Sequence, residues 1–335
     1  MRVTVGIKAL NEEARIGAAL SSAVAAVQPF GGEVVLADSG STDRTLEIAA
    51  GFPVRVVQLE NSAERCCGAG AQLAFQHAKG DYFYLLDGDM VLDPGFLPAG
   101  IAYLEQNPHI AAVGGRVREM NTEAHEFQIR AATVAQDRNW LPGLVDRLDC
   151  GGLYRADAVR QVGWFADRNL HAFEEFELAA RLQARGWKLA RIDHPAVEHY
   201  GHQMGGYKLL WKRFKSGHSG SPGEVLRGAL GRAHLPVVLR RLNHYRVVAA
   251  VVLWWLLILA CLVKGSLIGL AGLLLAPLAF LTFRRRSVKL GLYSLASWNI
   301  SALAVILGFF HPRTPPHRPL SSRDLTDRLK ASAAK

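Results

Sequence analysis

The stretch Tyr82-Phe83-Tyr84-Leu85-Leu86-Asp87-Gly88-Asp89-Met90 decides how the chain is read. Its first part is a short apolar run rich in aromatic and branched residues, the pattern of a strand buried in a parallel sheet. It ends in two carboxylates separated by one glycine. In open α/β sheets ligands bind beyond the carboxyl ends of the strands. Gly88 permits a tight turn, so Asp87 and Asp89 are able to present their oxygens to one site. Hard divalent cations prefer oxygen donors, and Mg²⁺ or Mn²⁺ held between a carboxylate and a diphosphate fits this arrangement. A polar turn with no ligand would use the same residues, so the neighbours must decide.

Upstream, Val3–Ile7 reads as a first strand. Asn11-Glu12-Glu13 follows its turn and opens a helical pattern through Ile16, Leu20 and Val24, with acidic groups near the positive end of the helix dipole. Glu33–Ala37 is a second strand, followed by the polar turn Asp38-Ser39-Gly40-Ser41-Thr42-Asp43 and a short helix. Val54–Leu59 is a third strand and Ala63–His77 a helix. Strands alternating with helices predict a parallel sheet with crossover helices. The first turn lacks Gly-x-Gly-x-x-Gly, which argues against a dinucleotide cofactor.

Downstream, the pattern predicts a helix over Phe96–Asn107 and a strand over Ala112–Val117. Residues Asn121–Asp149 are irregular, and acceptor-side variation is expected there. Gly151 and Gly152 permit either close backbone approach to a ligand or a tight strand start. Glu174 and Glu175 open a helix running to Gly186. They are candidates for a general base, although an acidic first turn also stabilises a helix on its own. Trp187–Ile192 is a last strand. His194, His199 and His202 follow without a convincing zinc spacing and read as surface or membrane-interface residues. Cys66, Cys67, Cys150 and Cys261 also lack metal-ligand spacing and read as reduced, mostly buried thiols.

The chain of 335 residues is basic, with 39 Lys and Arg against 29 Asp and Glu. Its apolar content is concentrated in Val247–Val263, Leu267–Phe283 and Gly291–Phe310, and no Asp or Glu lies between Arg246 and Phe310. These lengths approach what a helix needs to cross a bilayer. Arg2-Val3-Thr4-Val5-Gly6-Ile7 reads as a strand rather than a secretion signal, so the N-terminal region is expected in the cytoplasm. Arg284-Arg285-Arg286 and Lys289 are expected there too, which makes the first two apolar stretches a hairpin. Whether the third spans is left open. The expected organisation is a catalytic region 1–205, a basic juxtamembrane segment 206–245, a membrane region 246–310 and a basic tail 311–335. Lys212 and Arg213, beside Trp211, are candidates for binding a diphosphate or a lipid headgroup. Nothing organises a nucleic-acid groove. The oligomeric state is open, a homo-oligomer included.

Taken together, Asn11-Glu12-Glu13, the Asp38–Asp43 turn and Leu86-Asp87-Gly88-Asp89 resemble family 2 glycosyltransferases, over roughly Val3 to Ile192. The resemblance implies a GT-A fold, here in a membrane-anchored branch of bacterial type, with its catalytic domain on the cytoplasmic face of the cell membrane. It implies that Glu12 and Asp38 contact the donor nucleotide and that Arg65 lies near the donor, with Cys66 where asparagine is usual. It implies Asp87 beside the ribose or sugar and Asp89 as the direct metal ligand. Gly151 and Gly152 match a segment lining the sugar and acceptor site. Glu174-Glu175 matches a Glu-Asp pair whose second carboxylate is commonly the base, which assigns that role to Glu175 with Glu174 as helper. Lys8 stands where proline is frequent.

The reaction so implied is a single inverting displacement from a nucleoside-diphosphate sugar, with Mg²⁺ or Mn²⁺ and basic groups balancing charge on the leaving diphosphate. Glu175 would take the proton of an attacking hydroxyl. A phosphate acceptor needs no such base, so the glutamate pair favours a hydroxyl of a lipid or lipid-linked saccharide over a polyprenyl phosphate. No Gln-x-x-Arg-Trp motif of a processive synthase precedes the apolar stretches, and a single addition is expected. A non-enzymatic membrane assembly protein would have no need of these carboxylates.

Overall fold

The computed structural model describes residues 2–120, 137–201 and 206–333. Most of the expected acceptor-side segment (121–136) and His202 lie outside the described residues. The chain divides into two compact units, Met1–Gln203 with Arg313–Lys335, and Met204–Pro312. The basic tail, expected as a segment of its own, is therefore part of the first unit from Arg313 onward.

In the first unit, β1 (Val3–Ala9), α1 (Ile16–Val27), β2 (Glu33–Asp38), α2 (Thr45–Ala49), β3 (Arg55–Leu59), α3 (Cys67–Gln76) and β4 (Tyr82–Asp87) follow in order. They are succeeded by β5 (Met90–Leu92), α4 (Phe96–Gln106), β6 (Ile110–Glu119), β7 (Gly143–Val145), β8 (Gly152–Arg155), α5 (Ala156–Gln161), α6 (Glu174–Ala184) and β9 (Lys188–His199). The sheet order is β10-β3-β2-β1-β4-β8-β6-β9-β5, where β10 is Ser322–Asp324 in the tail.

Alternation along β4 builds both halves of the core. Tyr82, Tyr84 and Leu86 pack with Leu20 of α1 and Ile101 of α4, whereas Phe83 and Leu85 pack with Leu73 of α3 and Leu178 of α6. A period of two places successive side chains on opposite faces, so a strand covered on both sides is apolar throughout.

The parallel sheet expected from the alternating elements holds only for β3, β2, β1 and β4. Beyond β4 the sheet is mixed. β8 lies antiparallel to both β4 and β6, and β6 lies parallel to β9. Local sequence determines that a segment is a strand, but not which strand is inserted between which neighbours. Here a later strand, β8, takes the place beside β4.

The tail covers the outer edge of the sheet. β10 pairs antiparallel with β3, and α13 (Thr326–Ala333), so numbered after the second unit's helices, follows. Leu320 is buried in the core formed with Leu73 and Phe83, and its backbone exchanges hydrogen bonds with the Gln76 side chain at 2.9 and 3.0 Å. Covering an edge strand removes a template for unwanted pairing.

The second unit holds α7 (Gly206–Lys215), α8 (Ser221–Ala229), α9 (Leu235–Arg241), α10 (His244–Val263), α11 (Leu267–Arg285) and α12 (Val288–Phe310). The last three are long and apolar enough to cross a membrane. Trp254 Nε1 donates to the carbonyl of Leu273 at 2.8 Å, which gives its polar edge a partner inside an apolar surrounding.

Candidate active site

The site forms where β1, β2 and β4 end together, because their parallel register brings Lys8, Ala37 and Asp87 level with one another. Lys8 Nζ lies 2.6 Å from Glu174 Oε1 and 3.2 Å from Asp87 Oδ1. Burial by itself would weaken the ammonium form, yet Asp87 and Glu174 outweigh it and hold the Lys8 pKa well above its ordinary value. Lys8 thus remains a cation between two carboxylates.

On the other side of Gly88, Asp89 faces His199. Their closest atoms are 3.6 Å apart, and His199 Nδ1 lies 2.9 Å from both carboxylate oxygens of Glu119. Burial opposes protonation of the imidazole, but the hydrogen bonds and charges of Asp89 and Glu119 raise its pKa to about 10. Strand pairing explains the meeting: His199 is the register partner of Met90 on β5 and of Glu119 on β6. The backbone N–H of Tyr200 also donates to the carbonyl of Asp89 at 3.1 Å. The expectation that His199 is a surface or interface residue is corrected: its side chain is mostly buried and engaged with the Asp87-Gly88-Asp89 turn. His194, by contrast, is half-buried beside Phe96, and its Nδ1 lies 2.7 Å from the carbonyl oxygen of Pro195.

Glu119, Cys150 and His199 present ligand atoms that all lie within 4.8 Å of one another, next to Asp89. Cys150, expected as an ordinary thiol, belongs to this group. The donor set fits a divalent cation that would take the place of the His199 proton, with carboxylates for a hard ion and the freed imidazole nitrogen as a further donor. A second observation agrees. Burial, followed by the charges of Asp89, Asp87 and Asp43, pushes Glu12 up to about 7. That shift marks a local excess of negative charge, which a cation at Asp89 would relieve.

Asp38 is fully buried at the end of β2. It accepts hydrogen bonds from the N–H of Gly40 at 2.9 Å, from that of Ser41 at 3.0 Å and from Gln58 Nε2 at 2.8 Å. Arg65 donates to the carbonyls of Ser39 at 2.7 Å and Gly40 at 3.1 Å. Both residues therefore build the turn expected to receive a nucleotide. Asn11 accepts from the N–H of Thr42 at 2.8 Å, tying the loop after β1 to the same turn.

Gly151 has φ +89°, and a Cβ on it would approach the carbonyl oxygen of Leu85 to 2.7 Å. Gly152 pairs with Leu85 across β4 and β8. A Cβ on Gly152 would fall 2.6 Å from the Leu148 side chain.

Glu174 and Glu175 begin α6, and they are not equivalent. Glu174 is paired with Lys8. Glu175 Oε1 is buried and has no hydrogen-bond partner among the described residues, and the same holds for Tyr154 Oη and Arg191 Nη2. Burial, then Asp149 and Glu174, hold the Glu175 carboxyl well above the usual carboxylate range. Buried polar atoms are rarely left unsatisfied, so such a group is where polar atoms of a bound molecule would be received. Lys212 and Arg213 lie exposed on α7 in the second unit.

A ten-stranded mixed sheet with carboxylates gathered at the ends of β4 and α6 defines an α/β nucleotide-sugar transferase fold of the GT-A type. Residues 4–163 match the model of "Glycosyl transferase family 2", just under half of the chain. EpsE of Bacillus subtilis, named as a glycosyltransferase, is 29% identical over 165 residues, 47% of this chain and 58% of that protein. The dodecaprenyl-phosphate galacturonate synthase of Rhizobium johnstonii is 24% identical over 221 residues, 61% of each chain. The chain thus spans less than two thirds of the length of these relatives. Among solved structures, the mannosyltransferase PcManGT of Pyrobaculum calidifontis, in complex with GDP-Man and Mn²⁺, superimposes with a TM-score of 0.59 at 18% identity. That match covers 92% of this chain and 86% of the other, a likeness of fold.

Proposed function

We propose that the protein is an inverting, metal-dependent glycosyltransferase that moves a sugar from a nucleoside-diphosphate sugar, UDP-linked in the first instance, to a hydroxyl of a lipid or lipid-linked saccharide. The observation that carries this reading is the different environment of two adjacent carboxylates. Glu174 is charge-paired with Lys8, whereas Glu175 offers a buried oxygen without a partner among the described residues.

In this reading the loop at Glu12 and the turn built by Asp38 and Arg65 receive the nucleotide. Asp89 and His199, with Glu119 and Cys150 adjoining and Asp87 across the turn, would hold Mg²⁺ or Mn²⁺. The ion supplies charge to offset the diphosphate. Lys8 pairs with Asp87 and Glu174 and holds them in place. Glu175 takes the proton of the acceptor hydroxyl as its oxygen bonds to the anomeric carbon. The bond from that carbon to the diphosphate breaks, and its electron pair leaves with the diphosphate. Gly151 and Gly152 shape the wall beside Leu85. Lys212 and Arg213 engage anionic headgroups or the acceptor, and the catalytic unit works at the cytoplasmic face of the membrane.

A phosphate acceptor is the second reading. It is favoured by the activity for which the Rhizobium relative is named. The raised Glu175 pKa also leaves less of its carboxylate ionised at neutral pH.

Nucleoside diphosphate release by the detergent-purified protein separates the two. UDP-sugars and GDP-mannose are offered with Mg²⁺ or Mn²⁺, alongside hydroxyl lipids or polyprenyl phosphate. Release with a hydroxyl acceptor that Glu175→Gln abolishes supports the proposal. Release with polyprenyl phosphate alone, unchanged in Glu175→Gln, would replace it with the second reading.

A further inference from the structure

We infer that the membrane unit enters and leaves the bilayer through one face, crossing it twice, so that the tail emerges on the side of the catalytic unit. Two independent observations lead there.

The first concerns the tail. Only His311 and Pro312 separate the end of α12 from Arg313, where the first unit resumes. From that point the tail is bonded to the first unit almost continuously. Thr314 and Asn169 exchange two hydrogen bonds at 2.8 Å, and Arg168 donates to the carbonyls of Arg318 at 2.7 Å and Pro319 at 2.9 Å. Leu320 enters the core, β10 extends the sheet, and Val56 N–H donates to Thr326 Oγ1 at 3.0 Å. A tail folded into the sheet of the catalytic unit cannot lie across a bilayer from it. The hydrocarbon core is about 30 Å thick, whereas two extended residues reach about 7 Å. The number of crossings between Gln203 and Arg313 must therefore be even. Among the described residues of this unit before α10, no helix exceeds the ten residues of α7, about 15 Å of rise. The crossings therefore fall within α10, α11 and α12.

The second observation is internal to the membrane unit. At the start of α10, Tyr245 Oη donates to the carbonyl of Pro222 in α8 at 2.9 Å. At the end of α12, Phe309 accepts from Arg227 of the same short helix at 3.1 Å. A Cβ on Gly223 would fall 1.9 Å from the carbonyl oxygen of Val305, and one on Gly308 would fall 2.1 Å from that of Gly220. Small residues on both sides thus let α8 and the end of α12 touch backbone to backbone. Farther along α10, Trp255 donates to Asn299, farther back along α12, at 2.7 Å. The last apolar helix consequently runs back toward the start of the first. α8, which carries the exposed Arg227, clasps both ends at one level. That charge belongs at an aqueous face rather than in hydrocarbon.

The test is sidedness of labelling in the full-length protein. Ser62→Cys on the catalytic unit, Ser321→Cys in the tail and Lys264→Cys between α10 and α11 replace residues that are exposed in the structure. Each is expressed separately and treated with a membrane-impermeant maleimide in intact spheroplasts and in inverted vesicles. Peptide mass spectrometry locates the label, so the native cysteines stay in place. Ser62→Cys and Ser321→Cys should label in the same preparation, with at least tenfold preference over the other, and Lys264→Cys in the opposite one. Labelling of Ser321→Cys opposite to Ser62→Cys would overturn the shared face. Labelling of Lys264→Cys together with Ser62→Cys would overturn the two crossings. If a cysteine variant fails to accumulate, a reporter fused after Lys335, active only on one side of the membrane, locates the tail instead.

Discussion

Lys8 Nζ lies 2.6 Å from Oε1 of Glu174, joining two residues that stand 166 positions apart in the chain. This contact fixes the start of α6 against the end of β1 and leaves Glu175, one residue on, without such a partner. Removing the cation should be costly because Glu174 would stay buried and unopposed. Lys8→Met is expected to lose about 3–5 kcal/mol, the usual range for breaking one side of a buried pair. The double variant Lys8→Met/Glu174→Gln should recover part of that loss, which denaturant unfolding of both proteins would read. Equal stability of Lys8→Met and the parent would remove the pair from its structural role.

Glu175→Gln should reduce turnover with a hydroxyl acceptor by about 10²–10⁴, the range for loss of a general base. The KM for the donor should stay close to the parent value. Steady-state kinetics at saturating donor check this.

The same residue predicts two pH effects. Activity should rise with pH above the ordinary carboxylate range, because the base works only when ionised and its pKa is raised. Stability should move the other way. Unfolded, Glu175 releases its proton near 4.5; folded, it does so only at higher pH. Between those values the folded state holds the extra proton, so this group's contribution weakens as pH rises and is complete only below the unfolded value. Glu175→Gln should abolish that decline, and thermal melts from acid to alkaline pH would show two curves that diverge upward.

His199→Ala and Glu119→Gln should each weaken Mn²⁺ binding by at least about tenfold, in line with losses seen when metal ligands or their supports are removed. Titration followed by the electron-spin signal of free Mn²⁺ measures this without any turnover. A chelator should abolish nucleoside diphosphate release by the parent protein, and added Mn²⁺ should restore it. Unchanged Mn²⁺ affinity in both variants would place the ion elsewhere.

Gly151→Ala tests backbone against ligand roles. At φ +89°, with the Leu85 carbonyl 2.7 Å from the added carbon, the substitution should destabilise the domain by about 1–3 kcal/mol. A stable variant that had lost only donor binding would argue for a direct ligand contact instead.

The sequence by itself determined the local elements and the chemistry they carry. An apolar run ending in Asp87-Gly88-Asp89, acidic residues opening α6 and long apolar stretches without Asp or Glu are all consequences of residue order, and the strand, helix and membrane readings follow from periodicity and length. The tertiary structure alone decided which side chains meet. His199 reads as peripheral in the sequence because its partners, Glu119 and Asp89, are set by pairing of β9 with β6 and β5, and no spacing in the chain encodes that register. Lys8 looks like a small departure from a family pattern until the register of β1 beside β4 places it next to Asp87. The tail looks like a basic appendage because Leu320 is a single apolar residue among prolines and charges, too weak a signal to announce a strand. Its place on β3 comes from long-range hydrogen bonds and burial, which are properties of the folded chain.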